Sequence, residues 1–318
     1  MDFSWDEVQS AIAQACRDAL DHAGDDPWKA LGDAGLLTLG VPKRLGGEGL
    51  GLLETGIVLT EVGRRALHVP ALATLAMGTL PVARFADEAL QDVLLTGGRL
   101  LTAAVDGLTV SSTVDGVALG VPYGMEAYRI LVQGSAGWGV GGRDRQRRGV
   151  IAVIDPQSPG VSVAAMPTSS GAPEAIVSCS GAVSEAVFEG DLRYFAVAGS
   201  AAVADGLLKG ALDLTAAHAG SREQFGRPLA TFQAVAQQIA DVYIAWRTTH
   251  LAALAACVNP ADATLAAYWL RNEAPAAMRT CHHLHGGIGL DITYPLHRYS
   301  SMLKDLLRLV GVADAARA

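Results

Sequence analysis

A helical unit, then a small β unit, then a second helical unit, joined in one α+β chain, is the fold class that the sequence predicts. Three observations carry it. Residues 6–98 show apolar positions at helical spacing, 99–191 break into short apolar runs between Gly, Pro, Asp and Ser, and beyond Asp191 the chain becomes long and Ala/Leu-rich. The expected division is an N-terminal helical domain at 1–98, a shortened central β domain at 99–191, and a C-terminal helical domain of four-helix-bundle kind at 192–318. With 318 residues, half of them hydrophobic, the chain can bury a core shared by two or three packed units.

The first unit is punctuated by Gly24-Asp25-Asp26-Pro27 and by the loop Val41-Pro42-Lys43-Arg44-Leu45-Gly46-Gly47-Glu48-Gly49. In the second, 100–105, 128–132, 149–154, 161–165, 175–179 and 183–188 read as strands. In the third, 201–219 reads as a helix, and Val235, Ile239, Val242 and Trp246 recur on one face of the next. Gly226 and Pro228 are expected to break the first of these helices and start the second. Tyr243, Trp246 and Trp269 read as packing aromatics, and no tandem repeat of solenoid length is present.

Charge and composition exclude several classes. A formal net charge of −8 argues against a general nucleic-acid binder, which needs a basic surface. The one dense basic run, Arg143-Asp144-Arg145-Gln146-Arg147-Arg148, lies between Gly142 and Gly149 and reads as a solvated hairpin tip. Apolar runs such as 70–81 are short or broken by Pro and Gly, so no membrane span is expected, and the acidic start Met1-Asp2-Phe3-Ser4-Trp5-Asp6-Glu7 lacks a signal-peptide layout. A cytoplasmic location is the expectation. Cys16, Cys179, Cys257 and Cys281 are widely spaced, which suggests neither a disulfide framework nor a zinc knuckle. Cys281-His282-His283-Leu284-His285 has no second ligand cluster to complete a metal site, and no metal is expected.

Two segments carry chemistry. Ser221-Arg222-Glu223-Gln224-Phe225-Gly226-Arg227-Pro228 places a guanidinium and an aromatic ring in a corner between two long helices. An Arg there can fork onto a phosphate, and the amides of the next helix start add positive potential. The second, His283-Leu284-His285-Gly286-Gly287-Ile288-Gly289, ends near Tyr294-Pro295. It follows no strand, so it is not a Rossmann fingerprint, but its side-chain-free glycines allow close approach of a ligand.

These segments, with Trp28-Lys29-Ala30-Leu31-Gly32-Asp33-Ala34-Gly35, Val41-Pro42, Gly46-Gly47-x-Gly49 and Glu61-Val62-Gly63-Arg64 upstream, resemble the flavin-dependent acyl-CoA dehydrogenases over nearly the whole chain. The resemblance implies α,β-desaturation of an acyl-CoA thioester, with FAD as cofactor and a carboxylate as base. It further implies that Arg222, Gln224, Phe225, His283, Gly286 and Gly287 hold the diphosphate and adenine end of a neighbouring subunit's FAD. His283 stands where the family often has Gln. The two usual base positions fall on Val310 and Ala196, which cannot take a proton; Asp314 is the surrogate nearest in helical phase, and Asp305 points away.

The loops that embrace the flavin ring in the family are not recognisable in Ala103-Ala104-Val105-Asp106-Gly107 or Val121-Pro122-Tyr123-Gly124. The pattern resembles the short, base-lacking subunits of heteromeric actinobacterial acyl-CoA dehydrogenases that act on steroids. It implies an α2β2 heterotetramer with a catalytic subunit. An autonomous homo-oligomeric dehydrogenase with a relocated carboxylate and a degenerate non-catalytic scaffold remain as alternatives.

Overall fold

A computed structural model describes residues 5–134 and 149–315, with side chains described as far as Gly311. The basic run Arg143 to Arg148 and the side chain of Asp314 lie outside the described residues.

The N-terminal domain holds α1 (Glu7–Asp21), α2 (Pro27–Asp33), α3 (Leu52–Arg64), a π-helical stretch Leu72–Thr79 that runs into α4 (Leu80–Phe85), and α5 (Glu88–Leu95). Asp6 starts α1 with a capping box, its side chain accepting from the Gln9 amide while the Gln9 side chain accepts from the Asp6 amide. The π-helical stretch is buried along almost its whole length, so its apolar run shows no one-sided pattern. The Leu80 amide bonds to the Leu75 carbonyl, the i to i−5 spacing that defines it.

Two four-stranded sheets form the central domain. One has the order β1 (Leu101–Ala104), β4 (Arg129–Gly134), β5 (Val150–Ile154), β8 (Ala186–Glu189), with β1 and β4 parallel. The other is antiparallel, in the order β2 (Leu108–Val110), β3 (Val114–Pro122), β7 (Glu174–Ala182), β6 (Val161–Met166). Strands β4 and β5 are buried on both faces. Ile130, Val132, Ala152 and Ile154 face the second sheet, whereas Leu131, Ile151 and Val153 join the helical core. That explains their unbroken apolar runs. The sequence expectation missed β2 and β3, because Gly107, Ser111, Ser112, Gly116 and Gly120 flank or interrupt them and read as loop.

The C-terminal domain comprises α6 (Leu192–Ser221), α7 (Gln233–Val258), α8 (Ala263–Asn272), α9 (Ala274–His285) and α10 (Leu296–Ala315). Helix α6 corrects the expectation that no segment is long and apolar enough to cross a bilayer: its 30 residues meet that test, yet the apolar window that does so is 94% buried within the fold. It is the core helix of the protein. Where α6 crosses α3, a side chain at Gly206 would collide with the Thr60 carbonyl and one at Gly63 with the Val203 carbonyl, so the two backbones touch only because both positions are glycine. The buried Gln133 joins the domains, its side-chain oxygen accepting from the first amide of α6 at Leu192, 2.6 Å away.

Candidate functional site

Helix α6 ends on Arg222, whose backbone is extended (φ −75°, ψ 120°) and whose amide still donates to the His218 carbonyl. The chain then makes a short hairpin, β9 (Glu223–Gln224) paired with β10 (Arg227–Pro228). Phe225 and Gly226 form its turn at φ 54° and 79°, the sign pattern of a type I′ turn. The corner is thus more ordered than the expected helix-to-helix loop, and α7 begins only at Gln233, after a 3₁₀ turn at Leu229–Thr231. Phe225 is 92% exposed. A non-glycine residue held in the left-handed region at an exposed tip stores strain, a feature that clusters at functional positions. Phe232 supports it edge-on, with ring centroids 6.2 Å apart, and the Arg227 guanidinium lies 4.1 Å from the Phe232 ring centroid.

The glycine-rich turn sits beside this corner. Helix α9 ends at Gly286, whose φ of 62° with ψ −141° suits glycine alone, and whose amide bonds back to the His282 and His283 carbonyls. Side chains at Gly286 or Gly287 would meet nothing within 4 Å, so the turn faces open space. His285 anchors it: its Nδ1 donates to the Cys281 carbonyl at 2.8 Å, and its Nε2 then accepts from Tyr294 Oη at 3.0 Å. Its ring stacks on His218 of α6, centroids 4.6 Å apart. That stack brings the ends of α6 and α9 together, and with them Arg222, Gln224 and Phe225 on one side and His283, Gly286 and Gly287 on the other. All six are exposed. The Gln224 amide donates to its neighbour's carbonyl at Glu223. His218 escaped the sequence reading, which named His285 and Tyr294 within the second motif but not the bond between them. Single polar residues in apolar helices carry no periodic signal, although His285 directly precedes the glycine pair.

Burial, which penalises the charged form, depresses the His285 and His282 pKa values. For His218 the same cause comes first, followed by His285 and Arg222 nearby. Both nitrogens of His285 are engaged within the fold, so it is poorly placed to bind a metal.

A different arrangement occupies the β-domain stretches that the family resemblance linked to the flavin ring. Ala103 to Gly107 and, from the second stretch, Val121 line a cavity of about 170 Å³ together with 117–120, Arg308 and Leu309, whereas Pro122 and Tyr123 line a different one. The Arg308 guanidinium lies where a side chain at Gly120 would go, and it pairs with Glu174. Burial raises the Glu174 pKa, against the pull of Arg308. One turn earlier, Asp305 accepts from the Ser169 and Ser170 amides, each at 2.9 Å. Two side chains of α10 therefore fasten that helix to the 169–174 segment of the β domain.

Val310, the next residue, and Ala196 are both fully buried and apolar. Leu309 also lines a second cavity of about 90 Å³ between α3, α6, α10 and the π-helical stretch, walled by Leu72, Val203, Met302 and Leu306. Tyr123 reaches it, and its hydroxyl is buried without a hydrogen-bond partner. The exposed corner fits an external diphosphate: it offers a guanidinium, a carboxamide, an imidazole and an open glycine turn.

Comparison with known proteins bears on both regions. Family models described as acyl-CoA dehydrogenase, N-terminal domain, and acyl-CoA dehydrogenase, C-terminal domain, match residues 2–97 and 196–305. The chain is 40% identical to acyl-CoA dehydrogenase FadE28 of Mycobacterium tuberculosis, over 98% of this chain and 95% of that one. It is 31% identical to acyl-CoA dehydrogenase FadE27 of the same organism, covering 89% and 83%. Among solved structures it resembles a chain of the ChsE4-ChsE5 complex from Mycobacterium tuberculosis, with TM-score 0.86, 28% identity, and 100% and 97% of the two chains covered. It also resembles a chain of the Tcur3481-Tcur3483 steroid ACAD, with TM-score 0.83, 28% identity, and 98% and 99% covered.

Proposed function

The chain belongs to the acyl-CoA dehydrogenase family, and from that premise we propose that it is the base-lacking subunit of a heteromeric enzyme, lending its arginine corner to FAD held mainly by a partner subunit. One contrast carries the proposal. The groups suited to a diphosphate face outward at the end of α6, while Arg308, paired with Glu174, fills the space beside Gly120 in the β-domain stretch next to the cavity lined by Ala103 to Gly107.

Bound FAD supplies the hydride acceptor for desaturation of an acyl-CoA thioester. On this reading Arg222 and the Gly286-Gly287 turn fix the diphosphate, Gln224 and His283 donate to it or to the adenine, and Phe225 shields it from water. The α-proton leaves to a carboxylate of the partner. Val310 and Ala196 are apolar here, and Asp305 is committed to the Ser169 and Ser170 amides. Relatives described as a two-component complex and as a steroid ACAD support an α2β2 assembly acting on a steroid-derived acyl-CoA. Four buried free thiols suit the reducing cytoplasm.

Co-expression with a neighbouring dehydrogenase gene tests the proposal. The complex is expected to carry FAD, the chain alone none, and Arg222→Ala in the complex should cut retained flavin about tenfold, the effect of losing one charge-assisted contact. A chain that purifies alone with stoichiometric FAD bleached by an acyl-CoA would instead be an autonomous dehydrogenase. Unchanged flavin in the Arg222→Ala complex would leave only a scaffold.

A further inference from the structure

The arginine corner is short of positive charge. A diphosphate diester brings two negative charges, Arg222 supplies one positive charge, and the C-terminal end of α6 adds negative partial charge of its own. Anions are ordinarily disfavoured there. The remaining basic group of the last turn of α6 is His218, four residues before Arg222 and half buried. Among the described residues its ring nitrogens make no hydrogen bond; the ring is held by its stack on His285, at an interplanar angle of 21°. His285 cannot assume the task, because its two nitrogens serve the Cys281 carbonyl and the Tyr294 hydroxyl. The 229–231 turn packed against this end of α6 carries no titratable side chain, and in the hairpin the charge of Arg227, drawn over Phe232, is offset by that of Glu223.

We propose that His218 is the second cation of the corner, neutral in the free chain and protonated when a dinucleotide diphosphate seats against Arg222. The inference rests on the reading that Arg222 holds that diphosphate. Burial first, then His285 and Arg222, keep the free imidazole below the ordinary histidine range. A bound dianion reverses the local field and raises it. Binding therefore takes up a proton. Affinity is greatest at low pH and falls, by up to about tenfold per pH unit, as pH rises through the window between the free and bound values.

FAD suits the test because both of its phosphates are diesters and stay ionised. Calorimetric titration of FAD into the flavin-stripped, co-expressed complex, in two buffers of different ionisation heat, counts the protons taken up. The expected result is an uptake near neutral pH that is lost in His218→Phe, a variant that keeps the stack on His285 and cannot titrate, together with a flatter pH dependence of the dissociation constant. Equal uptake by wild type and His218→Phe, or none by either, overturns the proposal. Arg222→Ala separates the two levels. If it leaves FAD affinity unchanged, the arginine reading falls and His218 with it; if it weakens FAD while His218→Phe still takes up the proton, His218 alone is excluded.

Discussion

Gln133 and Leu192 form the hinge point between the β domain and the bundle: the Gln133 side-chain oxygen accepts the Leu192 amide at 2.6 Å. The same side chain donates to the Val150 and Gly134 carbonyls, each at 3.1 Å, so one buried carboxamide satisfies a helix start and a strand edge together. Gln133→Leu keeps the bulk and strands these groups, so it should cost about 2–3 kcal/mol, read as a lower urea midpoint. A loss under about 1 kcal/mol would mean that water reaches the Leu192 amide.

Asp205 is a buried carboxylate in the middle of α6. It accepts from Trp246 Nε1 at 2.8 Å and from Thr60 Oγ1 at 3.3 Å, and lies 2.9 Å from His250 Nδ1. Asp205→Ala orphans Trp246 Nε1 and His250 Nδ1 around a tight helix crossing, while Thr60 keeps its bond to the Ala202 carbonyl, and should cost about 3 kcal/mol, with a shift in Trp246 fluorescence as its ring loses the bond. An unchanged emission spectrum would show that the indole does not depend on this carboxylate.

Phe225 should behave inversely for stability and for binding. Removing the left-handed strain with Phe225→Gly is expected to stabilise the chain by about 1 kcal/mol in thermal unfolding, while lowering flavin retention by the complex. A fall in melting temperature would mean that the edge-on contact with Phe232 outweighs the strain.

Acid should weaken the fold. His218, His282 and His285 are all held below the ordinary histidine pKa, chiefly by burial. For a folded-state pKa below the unfolded one, the unfolded chain binds more protons in the intervening range, so stability is complete above the unfolded value of about 6.5 and is lost as pH falls through it. Melting temperatures from pH 8 to pH 5 should be level at first and then decline. The decline should be smaller in His285→Gln, which removes the most deeply buried of these rings. A profile that rises toward pH 5 would contradict the burial of these rings as neutral species.

What the sequence revealed follows from how far apart the interacting residues lie. The helix–β–helix order was legible because helical spacing, short strands between breakers, and two-faced burial of β4 and β5 are local signals. Strands β2 and β3 were not, since Gly107, Ser111 and Ser112 around β2 and Gly116 and Gly120 within β3 imitate loop. The π-helical stretch was hidden because a segment buried all round has no periodicity to read. At the site, Gly226 and Pro228 marked the Arg222 corner, but its hairpin depends on Phe225 adopting a conformation its type disfavours. The Arg308–Glu174 bridge spans 134 positions, and the His218–His285 stack joins two helices, so neither leaves a pattern in any window of sequence.

Helix α6 sets an order on biosynthesis. When its 30 residues leave the ribosome, α3, the π-helical stretch and α4, which cover one side, already exist, but α7 to α10, which cover the other, have yet to be made. For that interval the nascent chain displays an apolar rod as long as a membrane anchor, with α3 its main dock through the paired glycines at 63 and 206. A bulkier residue at either glycine would leave the emerging helix without its main dock, and the first victim would be yield in the living cell, through aggregation or misrouting to the membrane, before any property of the finished enzyme.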